Sequence, residues 1–181
     1  MENLEEKKDP GMFKPALNHA LLISAVVIVL TLVLYLVGQM QNSIGTWLNI
    51  GIVIIGLSWA AVNYRNQLLG GYISYGKALG YMVLVGTLAG VITGIFLFLL
   101  YGYISPELVE EARVHLEKNL YQQNPEMSYE EVQMVLGIQY FFVTPAGLLI
   151  SSIFGGAIQA TIIGLIAAIF IKKNKPEVFD V

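Results

Sequence analysis

The side chains able to do chemistry in this chain are few and widely spaced. There are two histidines and no cysteine in 181 residues. His115 follows Glu111 by one helical turn and Glu107 by two, so on a helix the three share a face that a metal ion can meet. Two of those three ligands are carboxylates, with no second histidine and no thiolate to close the site. A solvated acidic face is therefore the reading adopted, and neither a metal nor another cofactor is expected. His19, beside Asn18, reads as a histidine at a membrane interface. Ser151-Ser152 has no base near it in sequence, and both histidines fall near or beyond the predicted membrane boundaries, which argues against a Ser–His pair within the bilayer. A nucleophile elbow, a P-loop, a His-Glu-x-x-His zinc motif and a dinucleotide fingerprint are all absent from the sequence. No catalytic residue is assigned, and an enzyme is not expected.

The remaining candidates are polar or small residues inside apolar runs. Asn49, Ser58, Thr87, Thr93, Ser151, Ser152, Gln159 and Thr161 are the polar ones, with Asn49 and Gln159 the most polar. The plain role for such groups is an interhelical hydrogen bond, worth about 1 kcal/mol; the alternative is contact with a solute. No Asp, Glu, Lys or Arg lies centrally in these runs, whereas ion-coupled transporters and proton pumps place ionisable groups there. Gly86, Gly90 and Gly94 recur every fourth residue, as do Gly156, Ala160, Gly164 and Ala168. Each set puts small residues on one helix face and lets two backbones approach closely. Ala16, Ala20 and Ser24 form a weaker version. These faces suit packing within one chain or a seam between copies, and both readings stand at this point.

Positioning these residues falls to long apolar elements. Hydrophobic residues make up 56% and charged residues 13% of the chain, about half the charge of a soluble domain. The charge is concentrated between the apolar runs, the pattern of a polytopic membrane protein. A spanning helix needs roughly 20 apolar residues. Four stretches meet this, at about 18–38, 47–64, 77–103 and 145–171. The fold class is therefore all-α: one membrane domain of four transmembrane helices, with an extramembrane helical segment between the third and fourth. Residues 1–16 form a tail whose mixed charges do not resemble a signal peptide. Trp47, Tyr64, Tyr81, Tyr101, Tyr103 and Tyr140 are expected at the headgroup level near the span ends.

Lysine and arginine set the orientation. Lys7, Lys8 and Lys14 precede the first span, Arg65 and Lys77 lie between the second and third, and Lys172, Lys173 and Lys175 follow the fourth. The other two connections are poor in basic residues for their length, so the positive-inside rule places both termini in the cytoplasm. With a net charge of −3 and no basic block, nucleic acid is not an expected partner.

The connection at 105–143 is acidic, with Glu107, Glu110, Glu111, Glu117, Glu126, Glu130 and Glu131. Ser105 as N-cap and Pro106 as first helical residue predict a helix with Leu108, Ala112, Leu116 and Leu120 as its apolar stripe. Asn124-Pro125 breaks it. Ser128 to Glu131 fits a capping box for a second helix whose apolar side is Val132, Val135, Leu136 and Ile138. Thr144-Pro145 predicts the start of the last span, and Gly70-Gly71 a tight turn. The residues after that turn are expected to run along the membrane surface.

Gly70-Gly71-Tyr72-Ile73-Ser74-Tyr75-Gly76-Lys77-Ala78 leads into a glycine-rich span. Ser105-Pro106-Glu107-Leu108-Val109-Glu110-Glu111, Met127-Ser128-Tyr129-Glu130-Glu131 and Thr144-Pro145 follow, before a lysine-rich end. Over nearly its whole length the chain resembles a family of small bacterial four-span inner-membrane proteins known only as a domain of unknown function. The resemblance implies the four-span architecture and a bacterial inner membrane, and supplies no catalytic or ligand residue. The expectation is a non-enzymatic structural or interaction subunit that meets a protein partner through the acidic external segment. The alternative is a small transporter or channel subunit acting as a homo-oligomer.

Overall fold

The computed structural model describes residues 11–175 and is all-helical there apart from turns and one isolated bridge. Lys7, Lys8 and the acidic residues of the first ten lie outside the described residues. Four helices are long and apolar enough to cross a membrane: α1 (Phe13–Leu36), α2 (Ser43–Leu68), α3 (Tyr75–Leu99) and α6 (Pro145–Ile171). At a rise of about 1.5 Å per residue, each covers the roughly 30 Å of a hydrocarbon core. The chain is a multi-pass membrane protein.

The first two spans begin earlier than the apolar runs suggest. Lys14 and Pro15 form the first turn of α1, where the missing proline N–H costs nothing. Asn42 caps α2, its side chain accepting from the Ile44 N–H at 2.9 Å. Trp47 is therefore already inside α2, 72% exposed on its outer side. Ser74 caps α3 at once, so the segment after the glycine turn does not run along the membrane surface. Gly70 and Gly71 take φ of +65° and +89°, conformations that glycine adopts without steric cost. Ile73 then pairs with Lys173 in an antiparallel bridge, both N–H···O distances being 2.9 Å. Arg65 Nη1 donates to the Ile171 carbonyl at 2.8 Å, satisfying an acceptor at the end of α6. The lysine-rich segment is thus tied to the α2–α3 turn.

At the other end, a π-helical turn at Leu100–Ile104 prolongs α3. It changes the role expected of Ser105. The Ser105 N–H donates to Leu100 O, and its buried hydroxyl is hydrogen-bonded to the Tyr35 hydroxyl at 2.5 Å instead of capping a helix. Pro106 precedes the helix, and α4 runs Glu107–Gln123. The Ser128 capping box opens α5 (Tyr129–Val143), with Ser128 N donating to Glu131 Oε2 at 2.9 Å. Thr144 caps α6 with Pro145 in its first turn, its hydroxyl accepting from Gly147 N at 3.1 Å.

The centre of the bundle is the antiparallel pair α3–α6. Gly86 faces Gly156 and Ala160, Gly90 faces Ser152, Gly94 faces Leu149, and Gly164 faces Leu79. A Cβ on Gly156 would lie 2.6 Å from the Gly86 carbonyl oxygen, so the two backbones touch there. α1 and α2 lean on this pair, α1 through Ala16, Ala20 and Ser24, all fully buried. The Ser24 hydroxyl donates to Ala20 O at 2.5 Å and lies 3.4 Å from Ala89 O of α3.

Candidate functional site

Small residues on α3 and α6 allow close backbones, but they also leave space where α1 and α2 cross them. A cavity of about 470 Å³ opens between all four spans. Its walls are Ile23 and Val27 of α1, Val53 and Leu57 of α2, and the glycine faces of α3 and α6 at Gly86, Gly90, Gly155 and Gly156. Asn49, Thr93, Ser152 and Gln159 put polar groups on it from three different helices. Asn49 lies about 9 Å and Gln159 about 21 Å along their helices from the α4–α5 end, by helical rise. The cavity therefore lies within the half of the bundle toward that end and reaches its middle.

The two amides are the expected intramembrane polar residues, and the fold brings them to one space. Neither is hydrogen-bonded to another described residue. The Ser152 hydroxyl donates to Leu148 O at 2.7 Å, the usual back-bond to the preceding turn. Each amide offers two donors and an acceptor, and an amide in an apolar setting is costly until something polar meets it. Among the described residues, no ionisable side chain lines the cavity. It is equipped to hold a neutral hydrogen-bonding molecule or water and not to transfer a proton.

Toward the termini, beyond the residues that line the cavity, lies an aromatic layer that the sequence reading did not find. Tyr64 and Tyr81 were expected at the headgroup level. Both are instead fully buried and stack face to face, with centroids 4.0 Å apart and planes 5° apart. His19 Nδ1 is hydrogen-bonded to the Tyr81 hydroxyl at 2.6 Å, and its ring meets Trp59 edge-on at 5.0 Å. His19 thus points into the bundle rather than only marking an interface. Room for these rings comes from Ala16, Ala60, Ala61 and Ala78, all fully buried. A signal existed in the sequence: Ala60 precedes Tyr64 by one turn, and Ala16 and Ala78 precede His19 and Tyr81 by nearly one. Tyr101 is also buried, and Tyr140 lies under the Arg113 guanidinium at 5.2 Å, leaving Trp47 and Tyr103 as the well-exposed members of the expected aromatic set.

The other residues singled out in sequence stay apart from the cavity. Ala168 is buried on α6, beyond the positions that line the space. Ser151 Oγ is buried with no hydrogen-bond partner among the described residues, and neither histidine is among the residues lining the cavity. Glu107 and Glu111 line a separate cleft of about 360 Å³ with Tyr35 and the Gly38–Asn42 turn. His115 does not join them there; its ring meets the Asn119 amide at 3.0 Å. Among the described residues, no three His, Asp or Glu side chains are grouped to hold a metal ion.

A family model described as "Protein of unknown function (DUF4199)" matches residues 18–173, from the first span to the bridge after the last. No curated protein and no solved structure matches the chain.

Proposed function

The chain belongs to the DUF4199 family, and on that premise we propose that it is a non-enzymatic membrane protein that holds a small uncharged solute between its spans, as a small transporter or channel subunit does. The observation that carries this reading is the convergence of Asn49, Thr93, Ser152 and Gln159 on one cavity bounded by all four spans. The absence of ionisable groups from the lining favours a neutral solute with several hydrogen-bonding groups, passing or binding without coupled proton transfer. Flux of polyols, small amides and water in proteoliposomes is the test. Gln159→Leu keeps the size and removes the amide, so it should reduce a saturable flux at least tenfold while leaving the fold intact. Full flux in Gln159→Leu and Asn49→Leu alike would refute the reading.

The setting belongs to the same proposal. The membrane is the inner membrane of a bacterium, and both termini are cytoplasmic. The gathering of Lys14, Arg65, Lys77, Lys172, Lys173 and Lys175 at one end of the bundle, with the acidic segment at the other, supports that orientation. Copies of the chain associate into an oligomer.

A second reading has its own observation. Glu107, Glu110 and Glu111 are all exposed on the first turns of α4, a charged surface suited to a basic protein partner. In this reading the protein is an interaction subunit. Crosslinking in native membranes followed by mass spectrometry should then recover the same partner each time, and the partner should be lost when the three glutamates become glutamine. Recovery of that partner by the triple variant would sink the idea.

A further inference from the structure

Helix α5 has two apolar faces, and only one of them is covered by the described residues. Val132 and Leu136 are fully buried, and Tyr140, a turn further along the same line, holds Arg113 of α4. That face belongs to the α4–α5 hairpin. On the opposite side Met134, Ile138 and Phe141 follow one another at helical spacing, with Phe142 beside them. Their exposures are 72%, 66%, 48% and 51%. The sequence groups Ile138 with Val132 and Leu136 on one apolar side; in the structure Ile138 is exposed while those two are buried. Four large apolar side chains together on a helix are a costly surface to leave in water.

The position of α5 says what covers this face. A single residue, Thr144, separates α5 from the membrane span α6. The Gly147 backbone lies so close against the Phe141 carbonyl that a side chain there has no room. The end of α5 is therefore pressed against the first turn of α6, where that helix enters the bilayer. Polarity falls along α5 in the same direction. Glu130 and Glu131 are exposed in its first turn, and from Met134 to Val143 only Gln139 and Tyr140 are polar.

We propose that α5 lies on the membrane surface at the α4–α5 end of the bundle, with Met134, Ile138, Phe141 and Phe142 set into the boundary between headgroups and acyl chains. The occupant of this face is lipid. Its Glu130–Glu131 end stays in water, and α4 is carried above the helix with its acidic turns toward solvent. This is the geometry of an interfacial amphipathic helix, here anchored by the span that follows it. The acidic segment is thus a hairpin with one membrane side and one aqueous side. The inference does not depend on the cavity holding a solute.

The chain contains no cysteine, so single cysteines can be placed in the full-length protein and spin-labelled. Met134→Cys, Ile138→Cys and Phe142→Cys test the proposed face, and Val114→Cys on α4, itself 57% exposed, is the aqueous reference. In phosphatidylcholine nanodiscs, collision with oxygen should exceed collision with a water-soluble nickel chelate at the three α5 sites. The ratio should be at least threefold that at Val114→Cys, and highest at Phe142→Cys. Nickel accessibility at Ile138→Cys equal to that at Val114→Cys would overturn the proposal by placing the face in water. Low collision rates for both reagents at Ile138→Cys would overturn it by placing protein on the face. Three separate sites keep the test open if one variant fails to fold.

Discussion

Gly155 and Gly156 are neighbours in α6 with opposite surroundings. A Cβ added at Gly155 meets nothing within 4 Å; one added at Gly156 would lie 2.6 Å from the Gly86 carbonyl oxygen and 3.2 Å from the Gly90 Cα. Both neighbours at Gly156 are backbone atoms and cannot rotate away. To reach ordinary contact at 3.4 Å, α3 and α6 must part by about 0.8 Å along that direction. Overpacking of this kind costs about 1–3 kcal/mol. Replacing glycine by alanine also raises helix propensity, by up to about 1 kcal/mol, but that gain is common to both sites. The difference between Gly156→Ala and Gly155→Ala therefore isolates the close approach. Gly156→Ala should be the less stable variant by about 1–3 kcal/mol, roughly tenfold in the unfolding constant for each 1.4 kcal/mol. Reversible unfolding by dodecyl sulfate in mixed micelles, followed by the fluorescence of Trp47 and Trp59, measures it. Equal stabilities for the two variants would refute the reasoning, because the backbones would then have room for a methyl group.

Tyr81→Phe keeps the stack on Tyr64 but removes the hydroxyl that meets His19. The bond is only part-buried on the His19 side, and a hydrogen bond contributes about 0.5–1.5 kcal/mol net, so the variant should be destabilised by that amount in the same unfolding assay. Combining it with His19→Leu should cost less than the sum of the two single changes; strict additivity would show that the pair does not interact. At the start of α5, the Ser128 N–H and then its hydroxyl hold the exposed Glu131 carboxyl below its ordinary value of 4.5. A lowered folded-state value means that the contribution is fully present above pH 4.5 and is lost as the pH falls through the lowered value. The protection factors of amides in the first turn of α5, which divide out the intrinsic pH dependence of exchange, should therefore fall on acidification. Ser128→Ala should move the Glu131 carbon NMR titration up toward the ordinary value, and an unchanged titration would show that the hydroxyl does not act on it.

Periodicity and charge were enough to read the four spans, the Ser128 and Thr144 caps and the glycine turn, because each depends on residues within a few positions of one another. The faces at Gly86-Gly90-Gly94 and Gly156-Ala160-Gly164 were legible for the same reason, since a repeat of four fixes one side of a helix. The partner of each face was not legible: helical spacing says that a stripe is small but not what it meets, and only the antiparallel register of α3 on α6 sets Gly86 against Gly156. Asn49 and Gln159 stood out as amides in apolar runs, yet their convergence joins residues 110 positions apart through the packing of two helices. Tyrosine near a span end has two outcomes, headgroup or interior, and sequence position alone favours the first. For Tyr64 and Tyr81 the buried alanines around them decided the second. Ser105 carries the same lesson in miniature. Its neighbour Pro106 marks a helix start in any sequence, but the π-helical turn before it rotates the hydroxyl into the bundle, where Tyr35 stands to meet it.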